Sequence, residues 1–155
     1  AAWIGKKKTF DDFVARYVKE KNPDEQRRFL HVLGLFRDSK LIGEALALSN
    51  SDKVRMQDSF LIPAVVSSNP VVRGTMLGWT KLNWKHFMKR YGPGTHLLKD
   101  YVENLSFISD AATKAEMVKF FADKANVRDD MKMSLEQTLE RIDANINFIK
   151  KNTEK

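Results

Sequence analysis

The chain has 155 residues, 43% of them hydrophobic, 30% charged and none cysteine, which fits one folded domain and excludes disulfide scaffolds, thiolate metal sites and thiol catalysis. Its mean hydropathy is −0.44, and no apolar run approaches the ~18 residues that a membrane-spanning helix needs. Of the net charge of +7, five units fall in residues 1–8 and 150–155, which leaves too little on the body for a basic nucleic-acid groove.

Apolar residues recur at helical spacing in nearly every segment, and strand-like alternation is absent. Residues 1–8 read as a residual linker from an upstream domain. Ala1 is not an initiator Met, and Trp3 and Ile4 before a basic run suggest packing partners further upstream. The domain proper is expected over 9–155. Its first helix carries Phe10, Phe13, Val14, Tyr17 and Val18 on one stripe, with Thr9 and Asp12 as a capping box. Asn22-Pro23-Asp24-Glu25 is a strong start for a second helix: Asn caps, Pro suits the first turn, and the acids favour the positive end of the helix dipole. Its buried side is expected to be Phe29, Leu30, Leu33 and Phe36.

A third helix spans about Ser39 to Leu48, with Leu41, Ile42, Ala45 and Leu48 inward. A fourth holds Phe60, Leu61, Val65 and Val66, and Pro63 inside it predicts a kink, a late start or a broken first half. Asn69-Pro70 repeats the capping signal and predicts a long fifth helix to about Arg90. Gly92-Pro93-Gly94 breaks the chain. A sixth helix places Leu98, Tyr101, Val102, Leu105 and Ile108 in phase. A Thr113/Glu116 box leads a seventh with Met117, Phe120 and Phe121. The last, from about Asp130 to Asn152, steps through Leu135, Leu139, Ile142, Ile146 and Ile149.

The expected fold is therefore all-α: a right-handed, HEAT-like α-solenoid of about eight antiparallel helices, with a compact irregular bundle as the alternative. Few residues in the chain carry the spacing that chemistry needs. His31, His86 and His96 stand apart, without H-E-x-x-H or an i, i+4 pair, and His31 among Phe29, Leu30 and Leu33 is expected to be a packing residue. No phosphate loop or nucleophile elbow is present. The pairs Asp11-Asp12 and Asp129-Asp130 sit at helix starts, where the helix dipole accounts for them. On residues alone, catalytic residues and metal ligands are both none.

Three stretches go further. Residues 22–42, 54–92 and 135–152 present, in order, Leu30 through Asp38-x-x-Leu41, Arg55-x-Gln57-Asp58, Asn69-Pro70-x-x-Arg73, then Trp79 and Asn83-Trp84, with Phe120-Phe121 before a long closing helix. This ordered set resembles the C-terminal helical domain of the aminopeptidase N family of zinc metallopeptidases, which includes the puromycin-sensitive, glutamyl and endoplasmic-reticulum aminopeptidases.

The resemblance implies a parent exopeptidase that removes N-terminal residues from peptides, with its zinc and H-E-x-x-H site in upstream domains and no cofactor in this piece. It implies a non-catalytic domain that closes a chamber over the active site and helps to hold the distal part of the peptide. Its partners would be the upstream catalytic domain and the peptide, with no nucleic acid and no membrane, and the expected setting is cytoplasmic. The alternative is a free-standing helical-repeat interaction module. Arg73, Arg55 and Gln57 are the candidate peptide contacts, Arg73 first because a guanidinium binds a carboxylate through two bonds. Asn69, Asn22 and Asp58 are expected to be structural caps, and Arg55 to pair with a carboxylate. Ser68 stands where some family members carry a basic residue. If the domain has been separated from a partner, an apolar patch that includes Trp3 and Ile4 should be exposed.

Overall fold

Helix-forming periodicity is realised throughout the computed structural model, which describes residues 5–153. Among these residues all regular structure is helical: eight α-helices joined by turns, some of them single 3-10 turns, and no strand. The chain divides into two compact units, one up to Met76 and one from Leu77.

In the first unit α1 is Lys7–Lys19, α2 Pro23–Leu33, α3 Ser39–Ser49 and α4 Leu61–Ser68. Helix α1 begins two residues before Thr9, so the expected capping box does not form; Lys6 is the N-cap and contributes no side-chain bond. Lys7 instead bridges Asp11 and Glu44, each at 2.7 Å, which ties the first turn of α1 to α3. Phe10 and Tyr17 are buried as expected, but Val18 is 60% exposed, because the buried arc of α1 is narrower than its apolar stripe. Helix α2 starts as its sequence dictates: the Asn22 side chain accepts from the Asp24 N–H at 2.9 Å and Pro23 takes the first turn.

Helix α2 packs against α1 and α4, and α4 also against α3. Leu30, Leu33, Phe36, Ile42, Ala45, Ile62 and Val66 fill the space between them and are essentially inaccessible to water. Leu46, rather than Leu48, completes the inner face of α3. Pro63 falls in the first turn of α4, where its missing N–H would have no helical partner, so the late start is the outcome realised.

The second unit contains most of α5 (Met76–Arg90), with α6 Leu97–Glu103, α7 Ala111–Phe121 and α8 Lys132–Thr153. Helix α5 does not open at Asn69: the chain first turns through residues 70–72 and a 3-10 turn at Arg73–Thr75. The β-branched Val71 and Val72 and the flexible Gly74 are poor helix formers, and the Asn69 side chain is engaged elsewhere. Aromatic rings dominate this core. Phe87 stacks on Tyr101 at 4.2 Å, and Trp84 meets Phe121 edge-on at 5.1 Å. The Trp84 indole donates to the Asn126 carbonyl at 2.9 Å, so the buried ring keeps its polar atom satisfied.

Helix α7 is capped by Asp110, whose carboxylate accepts from the Thr113 N–H at 2.8 Å, and not by Thr113 with Glu116. Glu116 pairs with Lys81 of α5. Helix α8 buries Ile142 and Ile146 of the expected stripe, and beside them Ser134 and Thr138, which were not expected. Leu135 and Leu139 are half-buried and Ile149 is exposed. The Thr138 hydroxyl donates to the Ser134 carbonyl within the helix at 2.7 Å, so its burial leaves that donor satisfied.

Candidate functional site

Helix α2 and helix α4 meet closely because of one residue. At Gly34 a Cβ would stand 2.7 Å from the Val65 Cβ and 3.2 Å from the Ile62 carbonyl oxygen, so only glycine lets the end of α2 approach α4 this far. Asn69 locks the same junction. Its amide donates to the Phe36 carbonyl at 2.9 Å, and its Oδ1 accepts from the Val71 N–H at 3.2 Å. Its own carbonyl receives the Arg73 N–H at 2.9 Å. Asn69 is therefore a buried cross-link between two loops and not the N-cap of α5.

Outward of this junction lies a cavity of about 400 Å³ with a floor of Leu35, Leu61, Ala64 and Val65 and an end formed by Ser68, Asn69 and Pro70. A second cavity of about 440 Å³ is bounded by Arg27, Arg28, Val32 and Leu61. Both are also lined by His31 and Leu61, so the two adjoin at these side chains as a groove in two parts along α2 and α4. His31 is exposed at the lip and not packed in the core, because it sits one position off the buried Leu30–Leu33 side of the helix.

The expected peptide contacts occupy different settings. Arg55 holds Asp58, with Nε at 2.8 Å and Nη2 at 2.5 Å from Oδ2. Asp58 is buried, and Arg27 Nε approaches its other oxygen at 3.1 Å without hydrogen-bond alignment. One carboxylate thus faces two guanidinium groups and ties α2 to the turn that follows α3. Nearby, burial raises the Tyr17 pKa, with Asp58 adding to the rise and Arg55 opposing it. The Tyr17 hydroxyl donates to the Lys53 carbonyl at 2.8 Å, which is a structural use. Gln57 is exposed, and Arg73 is half-buried in its 3-10 turn. The structure therefore joins Arg55 to Asp58, and Asn69 to Arg73 through the backbone.

Sequence reasoning missed the groove itself. Arg27, Arg28 and His31 lie on one flank of α2 at i, i+1 and i+4, which was a legible signal, but their apolar counterpart on α4 is set by tertiary contact. Among the described residues no group of three or more His, Cys, Asp or Glu side chains could hold a metal ion. His96 and Asp100 stand 3.6 Å apart, and burial raises the Asp100 pKa, but no third ligand-type side chain joins them.

Residues 1–144 match the family model for the ERAP1-like C-terminal domain. Aminopeptidase M1-B of Oryza sativa subsp. japonica is 30% identical over 86% of this chain and 15% of its own length. Leucyl aminopeptidase of Saccharolobus solfataricus is 27% identical over 72% of the chain and 14% of its own length. Aminopeptidase 2, mitochondrial, of Saccharomyces cerevisiae is 26% identical over 96% of the chain and 15% of its own length. The chain thus spans about 15% of the length of these relatives.

Proposed function

The chain belongs to the ERAP1-like C-terminal domain family, and on that premise we propose that it is the non-catalytic C-terminal domain of a zinc aminopeptidase. The match to the family model over residues 1–144 carries this reading. Relatives named as aminopeptidases, each matched over about a seventh of its length, support it. The zinc and the residues that activate water would then belong to the remainder of the polypeptide. This domain's part is mechanical: its packed helices wall the chamber over the active site, and the groove of α2 and α4 holds the distal part of a peptide whose N-terminus is being cut. A rigid apolar furrow suits that task, because it contacts side chains without competing for the scissile bond.

The test compares the 155-residue chain with the complete polypeptide. Alone, the chain should carry no stoichiometric zinc and release no fluorophore from an aminoacyl reporter; the complete polypeptide should do both. In the complete polypeptide, Leu61→Glu should slow trimming of a long peptide and leave the short reporter unchanged. Hydrolysis by the chain alone would overturn the reading, as would equal loss on long and short substrates.

A further inference from the structure

We infer that the groove between α2 and α4 selects peptide stretches in which an acidic side chain stands beside an aliphatic one, with Arg28 and His31 setting that preference. The inference rests on the reading that the domain holds peptide, and it names the chemistry that would be held.

The floor and the rim of the groove differ in kind. Leu35, Leu61, Ala64 and Val65 offer a surface that an apolar side chain such as leucine would cover favourably. The rim carries Arg27, Arg28 and His31, and no Asp or Glu lines either cavity. Arg27 is turned toward the buried Asp58, which it shares with Arg55, so the preference is assigned to Arg28 and His31. Arg28 pairs with Glu25 at 2.7 Å, but the two side chains are 75% and 43% exposed, and a surface pair of that kind is weak enough to re-form around a better acceptor. His31 brings a further N–H donor at the point where the two cavities join.

Geometry favours an internal acidic residue over a terminal carboxylate. The two cavities share His31 and Leu61 in their linings, so a peptide lying across these two side chains would reach both. The Ser68–Asn69 end, where a terminus would stop, offers no charged partner among the lining residues. Ser68 Oγ donates to the Ala64 carbonyl at 3.1 Å, and the Asn69 amide is already engaged with Phe36.

The experiment uses the 155-residue chain and fluorescein-labelled, C-terminally amidated peptides that differ only in a central Leu-Glu-Leu, Leu-Gln-Leu or Leu-Lys-Leu. By fluorescence anisotropy the glutamate peptide should bind about fivefold more tightly than the glutamine peptide, the advantage expected of a partly exposed ion pair. The lysine peptide should bind most weakly, and added salt should narrow the spread. Arg28→Ala with His31→Ala, both at exposed positions, should bring the glutamate-to-glutamine ratio to about one while circular dichroism stays unchanged. Equal binding of the glutamate and glutamine peptides would overturn the inference, as would a preference that survives the double variant or appears only when the amide is replaced by a free acid. If all peptides bind alike and Ala64→Glu abolishes binding in a folded protein, the acidic preference falls while the peptide-holding reading stands. If Ala64→Glu changes nothing, both fall at this groove.

Discussion

At the end of α2 a single hydrogen atom in place of a side chain sets the depth of the groove. Gly34 has φ −74° and ψ −11°, ordinary helical values that alanine adopts without strain, so its requirement is steric and not conformational. A methyl group there would lie 2.7 Å from Val65 Cβ and 2.8 Å from Val65 Cγ1. Gly34→Ala should therefore cost about 1–3 kcal/mol, the usual range for an overpacked contact, seen as a lower urea midpoint. Val65→Ala removes Cγ1 but keeps Cβ, so in the double variant only part of the loss should return as a coupling between neighbours. An unchanged midpoint for Gly34→Ala would mean that α2 and α4 separate freely, and the groove would then have no fixed floor. Asn69 acts on the same junction by polar means, its amide and Oδ1 joining residues far apart in sequence.

At the scale of elements, the start of α2 was legible where the Thr9 and Thr113 capping boxes were not. Asn22-Pro23 opens α2 where the sequence placed it, because both residues act locally: one accepts a bond from the next turn and the other lacks a donor that would go unused. Asn69-Pro70 carries the same letters with another outcome, since the Asn side chain is drawn to a loop that sequence alone does not bring near. Helix α8 shows the second limit. Ile142 and Ile146 of its stripe are buried as expected, yet one half of the buried face runs through Ser134 and Thr138 in place of Leu135 and Leu139, a choice that depends on what α6 and α7 press against it. The groove was invisible for the same reason, being a product of how two helices approach.

Asp110 gives the elements a pH signature. The Thr113 backbone N–H, helped by the Thr113 hydroxyl, holds its carboxyl below the usual carboxylate range. The unfolded chain then binds the proton more tightly than the folded one. Its contribution to stability is present above the unfolded value, about pH 4, and is lost as pH falls through the depressed folded value. Lowered values at Glu20 and Asp129 act in the same direction. Asp100, raised by burial, opposes them, since its protonated form is the one the fold favours. Asp110→Asn keeps a capping oxygen and removes the titration. Thermal midpoints measured from pH 5 to pH 3 should fall less steeply for the variant than for the parent chain, about pH 4 marking where the curves diverge. Parallel curves would show that the cap's charge has no part in the acid response.

For the whole molecule the informative residues are large apolar side chains left in water. Leu82 on α5 is 85% exposed, and Met133 and Phe148 on α8 are 70% and 69% exposed. Trp3 and Ile4, also expected at an apolar surface, lie outside the described residues. Single exposed apolar side chains need no account by themselves, but residues this bare are the ones to test for a covering partner. The chain spans about 15% of its relatives, and on the proposed reading the rest of such a polypeptide would cover these side chains. Leu82→Lys and Phe148→Lys separate the two accounts. In the 155-residue chain neither touches the core, so the thermal midpoint should stay within the shift produced by about 0.5 kcal/mol. In the complete polypeptide a lysine that must be buried against another domain loses its hydration, so the same substitutions should loosen that contact, lower the thermal midpoint and raise susceptibility to proteolysis between domains. A complete polypeptide as robust with both lysines as without them would mean that Leu82 and Phe148 face water there too, and the domain would be anchored through other surfaces.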